Sequence, residues 1–437
     1  MKKIFKLASM VMLGLFTVGC TGGVRNTSTQ GDNVQNAKAV NITVQAEKDW
    51  IEYYQNAANR VKDKIPNANI KIVELGAFSN LDNINSTDAS NPDVPDIYAV
   101  PADRVNFMYK NDSLTPLNAE SIANEIGGWK DFKNGLASSF KINGEYYAFP
   151  MSIETLIVFA NTNNAESKGM DLNSTIEFTN LSYDDMLIVL WDLWYGVSLM
   201  NSVDLDLLSK GNDGKLQSDL IKDFSELTED QRNLFTSLFN YWKSHEDSKT
   251  DMWDKSAAWS YVDNKFASDS VLRLEGPWST KTLNELIGNS EQLEVVPISN
   301  ITVNGKQLEH WKSGWGLAIN PRIEGNEEAM KVAIEMIKEL VNPKFATDLF
   351  KATGKILENV TEDVYMSSDL SDIDKKVIAS VLKSYENSLP RPTFEEWSDV
   401  WPTWENALLS WASVKPSTAQ EAYEILQAAF KSMMSNF

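Results

Sequence analysis

Cysteine occurs once in this chain of 437 residues and histidine twice. A single thiol cannot close an internal disulfide. His245 and His310 stand far apart, and neither belongs to a metal-ligand spacing; His245 reads as part of an acidic, exposed helix end. No GxSxG, P-loop or GxGxxG pattern is present, so no cofactor and no metal are expected, and no catalytic nucleophile emerges. Acidic pairs are too common for counting to exclude a glycosidase-like carboxylate pair, though most read as solvated helix faces. The Asp-rich stretch 210–219 lacks the spacing of a calcium loop. Positive charge is scarce: 40 Lys and Arg against 61 Asp and Glu give a formal net charge of −21. That balance argues against nucleic acid and anionic membrane surfaces as partners and leaves a neutral ligand open. Long apolar runs are missing too. The uncharged run 7–18 has twelve residues, short of the about twenty that a membrane-spanning helix needs.

What stands at the start instead is an export pattern. Lys2, Lys3 and Lys6 precede the apolar run, and Gly19 and Cys20 follow it, so 1–19 reads as a signal peptide. TVGC (17–20) resembles a lipobox, with Thr17 where an aliphatic residue is usual. Cys20 is the expected lipidation site. A buried free thiol is the alternative, but Cys20 lies outside any core-forming segment. Two acyl chains suffice for stable anchoring. Residues 21–38 are rich in Thr, Gly, Asn, Ser, Gln and Asp without an aromatic, a composition that stays disordered. A flexible tether over 20–38 reaches about 20–25 Å. The expectation is a cell-membrane lipoprotein on the extracytoplasmic face, touching the membrane through its lipid anchor only. Removal of the signal takes the net charge to −24.

The remaining body, about 400 residues, exceeds one compact core, so two or three domains are expected. Val40, Ile42 and Val44 alternate with polar residues, as in a half-buried strand. Trp50, Tyr53, Tyr54, Ala57 and Val61 then fall on one helical face, which Pro66 ends. Segments 70–75 and 96–100 read as strands. Strand, helix, strand in this rhythm is βαβ, and a mostly parallel sheet follows. Further strands are expected at 146–149, 155–160, 271–274, 293–296 and 315–319. Helices are expected at 183–199, 229–245, 255–266, 327–341, 343–352, 372–386, 403–413 and 418–433, with Gly276-Pro277 opening another. No internal repeat is visible. The class is α/β.

Two features point to chemistry. The first is tryptophan, present fourteen times, with Trp50, Trp278, Trp311, Trp315, Trp397, Trp401 and Trp404 in suspected loops or element ends. An indole suits the C–H face of a pyranose ring, and its N–H stays free for a polar partner. Trp397, Trp401, Trp404 and Trp411 share one helical stripe, a pattern more typical of core. Pro402 cuts the stripe and disfavours helix geometry at Trp401, so Trp401 is expected just before the helix, facing a cleft. The second feature is charge at strand ends. Glu47 and Lys48 follow the first strand, Asp103 and Arg104 follow 96–100, and Glu154 sits in the apolar stretch FPMSIETLIVFAN (149–161). Ligands of open α/β sheets bind beyond the carboxyl ends of strands. Sugar hydroxyls both donate and accept, so carboxylates and Arg or Lys are their natural partners. An open cleft would leave these groups solvated. Separate surface charges with no common site are the competing interpretation.

NGEYYAFPMSIETLIVFANTN (143–163) resembles the first crossover of the carbohydrate-binding proteins of bacterial ABC importers, in particular the maltose/maltodextrin-binding type. ITVQAEKDW (42–50), PDIYAVPADR (95–104), EGPW (275–278), GWGLAIN (314–320) and VWPTWENALLSWASVKPSTAQEA (400–422) fit the same family in the same order. The resemblance implies a two-lobed periplasmic-binding-protein-like fold with three inter-lobe crossovers, near 152–157, 311–318 and 353–359. The N-lobe is then 39–152 plus 318–353, and the C-lobe 157–311 plus 359–437. It also implies that Glu47, Lys48, Asp103, Arg104 and Glu154 bind sugar hydroxyls from the N-lobe, and that Trp278 and Trp401 stack on sugar from the C-lobe. Val100 stands where the family's maltose binders carry a Trp, and the family's mid-C-lobe Tyr has no match between 169 and 250. The implied function is non-enzymatic: capture of an oligosaccharide, maltodextrin among the candidates, as a monomer, and delivery to the permease subunits of an ABC transporter. A secreted glycoside hydrolase and a carbohydrate-binding lipoprotein without transport are the alternatives.

Overall fold

The computed structural model describes residues 38–437. The expected signal peptide, Cys20 and the tether up to residue 37 lie outside the described residues. The body opens with β1 (Val40–Ala46), α1 (Ile51–Lys64), β2 (Ala68–Glu74), α2 (Ala77–Ser86) and β3 (Ile97–Pro101). β1 lies between β2 and β3 and is parallel to both, as the βαβ rhythm requires. The expected face of α1 is the buried one: Tyr53, Tyr54, Ala57 and Val61 all point inward. Helices α3 (Val105–Lys110) and α4 (Ala119–Ile126) follow.

The next strands are β4 (Phe149–Glu154) and β5 (Ile157–Asn161). β4 starts where the sequence pattern placed a strand end, so Glu154 closes a strand instead of preceding one. All six of its residues are buried, and such a strand shows no alternation to read. After α5 (Thr162–Lys168), the helix expected over 183–199 is replaced by a short strand, β6 (Met186–Leu187), and a later helix, α6 (Leu193–Asn201). Met186 to Trp191 are all buried, so this run has no polar face to turn outward. Asp192 then caps the helix by accepting a hydrogen bond from the Trp194 amide at 3.0 Å, the usual device for starting one.

The chain continues through α7 (Glu229–Asp247), α8 (Ala258–Ser268), β7 (Leu272–Glu275), α9 (Thr280–Ile287) and β8 (Leu293–Val296). β9 (Trp311–Ile319), α10 (Glu327–Leu340), α11 (Ala346–Thr353), α12 (Glu362–Met366) and α13 (Asp372–Glu386) come next. β10 (Leu389–Pro390), α14 (Val400–Val414) and α15 (Ala419–Met434) complete it. The exposed position expected for His245 is overturned: it is buried, with Nδ1 on Thr250 Oγ1 at 2.8 Å and its ring against Tyr183, Tyr241 and Trp253. The acidic neighbours Glu246 and Asp247 occupy the outer face of the same turn.

Two sheets define two lobes. One has strand order β10–β9–β3–β1–β2, with β4 also paired to β9. The other runs β8–β5–β7–β6. The mostly parallel sheet expected from the sequence is not found: β3–β9, β9–β4, β8–β5 and β5–β7 pair antiparallel, because β5 and β9 arrive from the opposite lobe and not through a βαβ crossover. The fold is α/β and two-lobed, and the chain passes between the lobes three times. β4 leaves the first sheet and β5 enters the second across Thr155 and Leu156 alone. β9 returns the chain, pairing with β4 and β3. The segment after α11 bridges back to β4 through Ile153 and Ile356. Thr155 Oγ1 lies 3.3 Å from His310 Nδ1 and 3.2 Å from Ser388 Oγ, so the first two passages and the chain beyond α13 share one buried polar knot. His310 Nε2 completes it on the Trp194 carbonyl at 2.8 Å.

Candidate functional site

The strand ends of the first lobe meet the α9 end of the second around a cavity of about 600 Å³. Glu47, Lys48, Glu154 and Trp278 all line it, with Trp50, Trp315 and the loop Thr353–Lys355. That volume lies inside the range of about 300–1,000 Å³ typical of small-molecule sites. Glu47 and Lys48 sit where β1 turns into the 3-10 turn Lys48–Trp50. Trp278 sits in the turn Pro277–Ser279 that follows β7.

Two glycines make the meeting close. A Cβ on Gly276 would fall 2.1 Å from the Trp278 ring, so the indole folds back over bare backbone. Gly354 ends α11 in the left-handed region at φ 66°. A Cβ there would come within 2.9 Å of the Pro277 carbonyl and of Trp278 Cα. One lobe's helix end is thus pressed on the other lobe's tryptophan turn.

Glu154 does not stay solvated. Its carboxylate accepts from Trp315 Nε1 at 3.0 and 3.1 Å and from Lys355 Nζ at 3.3 Å. Lys355 lies over the Trp315 ring at 4.8 Å, and both charged residues are buried. A buried charge needs such a partner. Glu47 Oε1 accepts from the Ala77 amide at 3.4 Å, and the next residue, Phe78, is 61% exposed with its edge on Trp315 at 5.3 Å.

Asp103, Arg104 and Trp401 do not line this cavity. Asp103 and Arg104 sit in the turn Ala102–Arg104 after β3. Asp103 pairs with Arg391 at 2.8 Å, and Arg104 lies 3.7 Å from the same carboxylate with a third of its side chain exposed. Trp401 is inside α14, not before it. Pro402 falls in the first turn, where no amide donor is required, so the helix starts ahead of it. Trp397, Trp404 and Trp411 are core, while Trp401 is half-buried.

Arg391 was not evident from the sequence. It follows β10, and its guanidinium lies over the rings of Trp194, Trp401 and Trp311 at 4.9, 5.3 and 5.6 Å. Nη1 donates to Ser313 Oγ at 2.7 Å. Burial pulls the guanidinium below its usual pKa, against the carboxylates of Asp103 and Glu154. Asp103 Oδ1, Arg391 Nε and the indole nitrogens of Trp194, Trp397 and Trp401 are buried without a hydrogen-bond partner. Trp194 was missed as well; its only sequence signal was the Asp192 cap before it. Lys355 had no signal at all. Arg391 had a weak one, since flanking prolines in LPRP (389–392) impose an extended chain.

Two α/β lobes and three passages between them enclose a cleft of tryptophans and charges. No family model matches the chain. It is 21% identical to the maltodextrin-binding protein MdxE of Bacillus subtilis, across 99% of this chain and 98% of the relative. It is 20% identical, over the same shares, to a maltooligosaccharide ABC transporter solute-binding lipoprotein of Streptococcus pneumoniae. Among solved structures, MalX of Streptococcus pneumoniae in complex with maltopentaose superposes with a TM-score of 0.69 at 18% identity, covering 90% of this chain and 99% of that one. The maltose-binding protein MalE of Listeria monocytogenes in complex with maltose gives 0.67 at 19%, covering 91% and 98%. The likeness in sequence therefore runs over 99% of the chain, and the relative from Streptococcus pneumoniae is by name a solute-binding lipoprotein of an ABC transporter.

Proposed function

We propose that this chain is a solute-binding lipoprotein that captures a malto-oligosaccharide between its lobes and delivers it to an ABC permease, without catalysing a reaction. The observation that carries this reading is the cavity where strand-end charges of one lobe face Trp278 of the other. Glu47, Lys48 and Glu154 supply acceptors and donors for hydroxyls, and Trp278 offers an apolar face. Asp103, Arg104 and Trp401 belong to the adjoining end of the same cleft and reach sugar when Arg391 moves aside. The N-lobe is taken as 39–152 plus 318–353 and the C-lobe as 157–311 plus 359–437, with the ligand favouring the closed arrangement of a pre-existing equilibrium. The protein acts as a monomer, held at the extracytoplasmic face of the membrane through Cys20.

Calorimetry against maltodextrins, cellodextrins and xylo-oligosaccharides tests the reading. Binding to the first series, with every sugar ladder unchanged after incubation, is the expected result. A new product that vanishes in a carboxylate variant would favour a hydrolase. Cys20→Ser should release the protein from the membrane fraction; a variant that still pellets, with no palmitate label on wild type, would remove the anchor.

A further inference from the structure

The indoles of the cleft form a continuous track. From Trp278 in the cavity, ring centroids step 6.4 Å to Trp194, 6.2 Å to Trp311 and 6.0 Å to Trp401. A chain of pyranose rings can follow such a row, since each ring has an apolar face to offer. All of the track beyond Trp278 is covered. Arg391 lies on the rings of Trp194, Trp311 and Trp401 and is pinned by Asp103 and by the fully buried Ser313. The residues after it also grip the opposite lobe: Asn106 Nδ2 donates to the Thr393 carbonyl at 2.5 Å, and Lys110 pairs with Glu395. None of Arg391, Trp194, Trp311 and Trp401 lines the cavity.

We propose that Arg391 is the length-determining residue of the cleft: its guanidinium occupies the surface a further sugar ring would use, and ends the binding track after Trp278. This rests on the malto-oligosaccharide reading above. A short oligosaccharide is accommodated between Glu47, Glu154 and Trp278, whereas a longer one must displace a cation held by a buried carboxylate and three indole faces. A stacked cation of this kind is favourable in its own right, so each added ring gains little. Asp103 Oδ1, buried without a partner, is an acceptor that a sugar hydroxyl can use once the arginine has gone.

The experiment titrates maltose through maltoheptaose into wild type, Arg391→Ala and Arg391→Met, reading within each protein the ratio of affinity for maltoheptaose to that for maltotriose. Both variants leave Asp103 with Arg104 as its only cation, but only Ala empties the cage, because Met refills it with an apolar side chain of similar length. Wild type should level off after the shortest members. Arg391→Ala should raise the ratio by about tenfold, equivalent to 1.4 kcal/mol, and Arg391→Met should follow wild type. Three results overturn the inference: a wild-type affinity that climbs steadily to maltoheptaose, an Ala ratio equal to wild type, or an Ala variant that melts normally yet loses maltotriose, which would make Arg391 a direct sugar contact. Wild type that binds no member of the series removes the sugar reading and this inference with it. Binding with an unchanged length profile in the Ala variant removes only the inference.

Discussion

Among single residues, Trp278 and Trp401 are no longer equivalent. Trp278 faces the cavity and Trp401 faces Arg391. Trp278→Ala should cost maltotriose at least about 2 kcal/mol, the usual threshold for a dominant contact. Trp401→Ala should cost maltotriose much less, and calorimetry on both variants checks the ranking. The charged residues also divide by burial. Removing one partner of a buried ion pair leaves the other charge unsatisfied, at roughly 3–5 kcal/mol. Glu154→Ala strands Lys355 in this way, so it should lower the melting temperature of the free protein as well as the affinity. Lys48→Ala, at an exposed position, should lower the affinity alone. Strand-end charges and surplus tryptophans were legible because they break their local context. Which carboxylate finds a cation was not, since Lys355 lies 201 residues from Glu154 along the chain and no spacing rule links them.

The elements were legible wherever one face is buried and the other wet, as in α1, α7 and β1. They were lost where burial is complete. β4 and the 186–191 run have no exposed face, so strand and helix leave the same apolar trace in sequence. The contact between the end of α11 and the tryptophan turn could not be read either, because it joins segments from opposite lobes. It has a sharp consequence. Gly354→Ala places a methyl 2.9 Å from the Pro277 carbonyl and forces a left-handed φ on a residue that resists it. The lobes should then part at this point. Affinity for maltotriose should fall by about tenfold or more, while Gly325→Ala, where a Cβ meets nothing within 4 Å, should leave it unchanged. Isothermal titration of the two alanine variants distinguishes a packing constraint from ordinary tolerance.

For the whole molecule, two buried histidines and two half-buried acids shape stability against pH. Burial lowers His245 and His310 from 6.5 to about 3. Both stay neutral in the fold, so their contribution is complete above pH 6.5 and is lost as pH falls toward 3. Burial acts oppositely on two acids, raising Asp192 to about 6 and Glu358 to about 7. Their contribution is complete below pH 4 and is lost as pH rises through 6 to 7. Between pH 4.5 and 6 the unfolded chain holds two extra protons on the histidines and the fold holds two on the acids, so these groups give no slope there. Below that window only the histidines of these four act, and carboxylates held below their usual range, such as Glu339 and Glu177, add to the loss, so stability should drop. Above it, Glu358 must ionise with Oε1 on the Leu136 amide at 2.8 Å and Oε2 unpartnered. Glu358→Gln keeps the acceptor and removes that ionisation. Against wild type it should gain stability on going from pH 5 to pH 8, by up to about 3 kcal/mol for a shift of this size. Urea unfolding at the two pH values reads the difference directly; an equal offset at both would mean that Glu358 titrates normally in the fold.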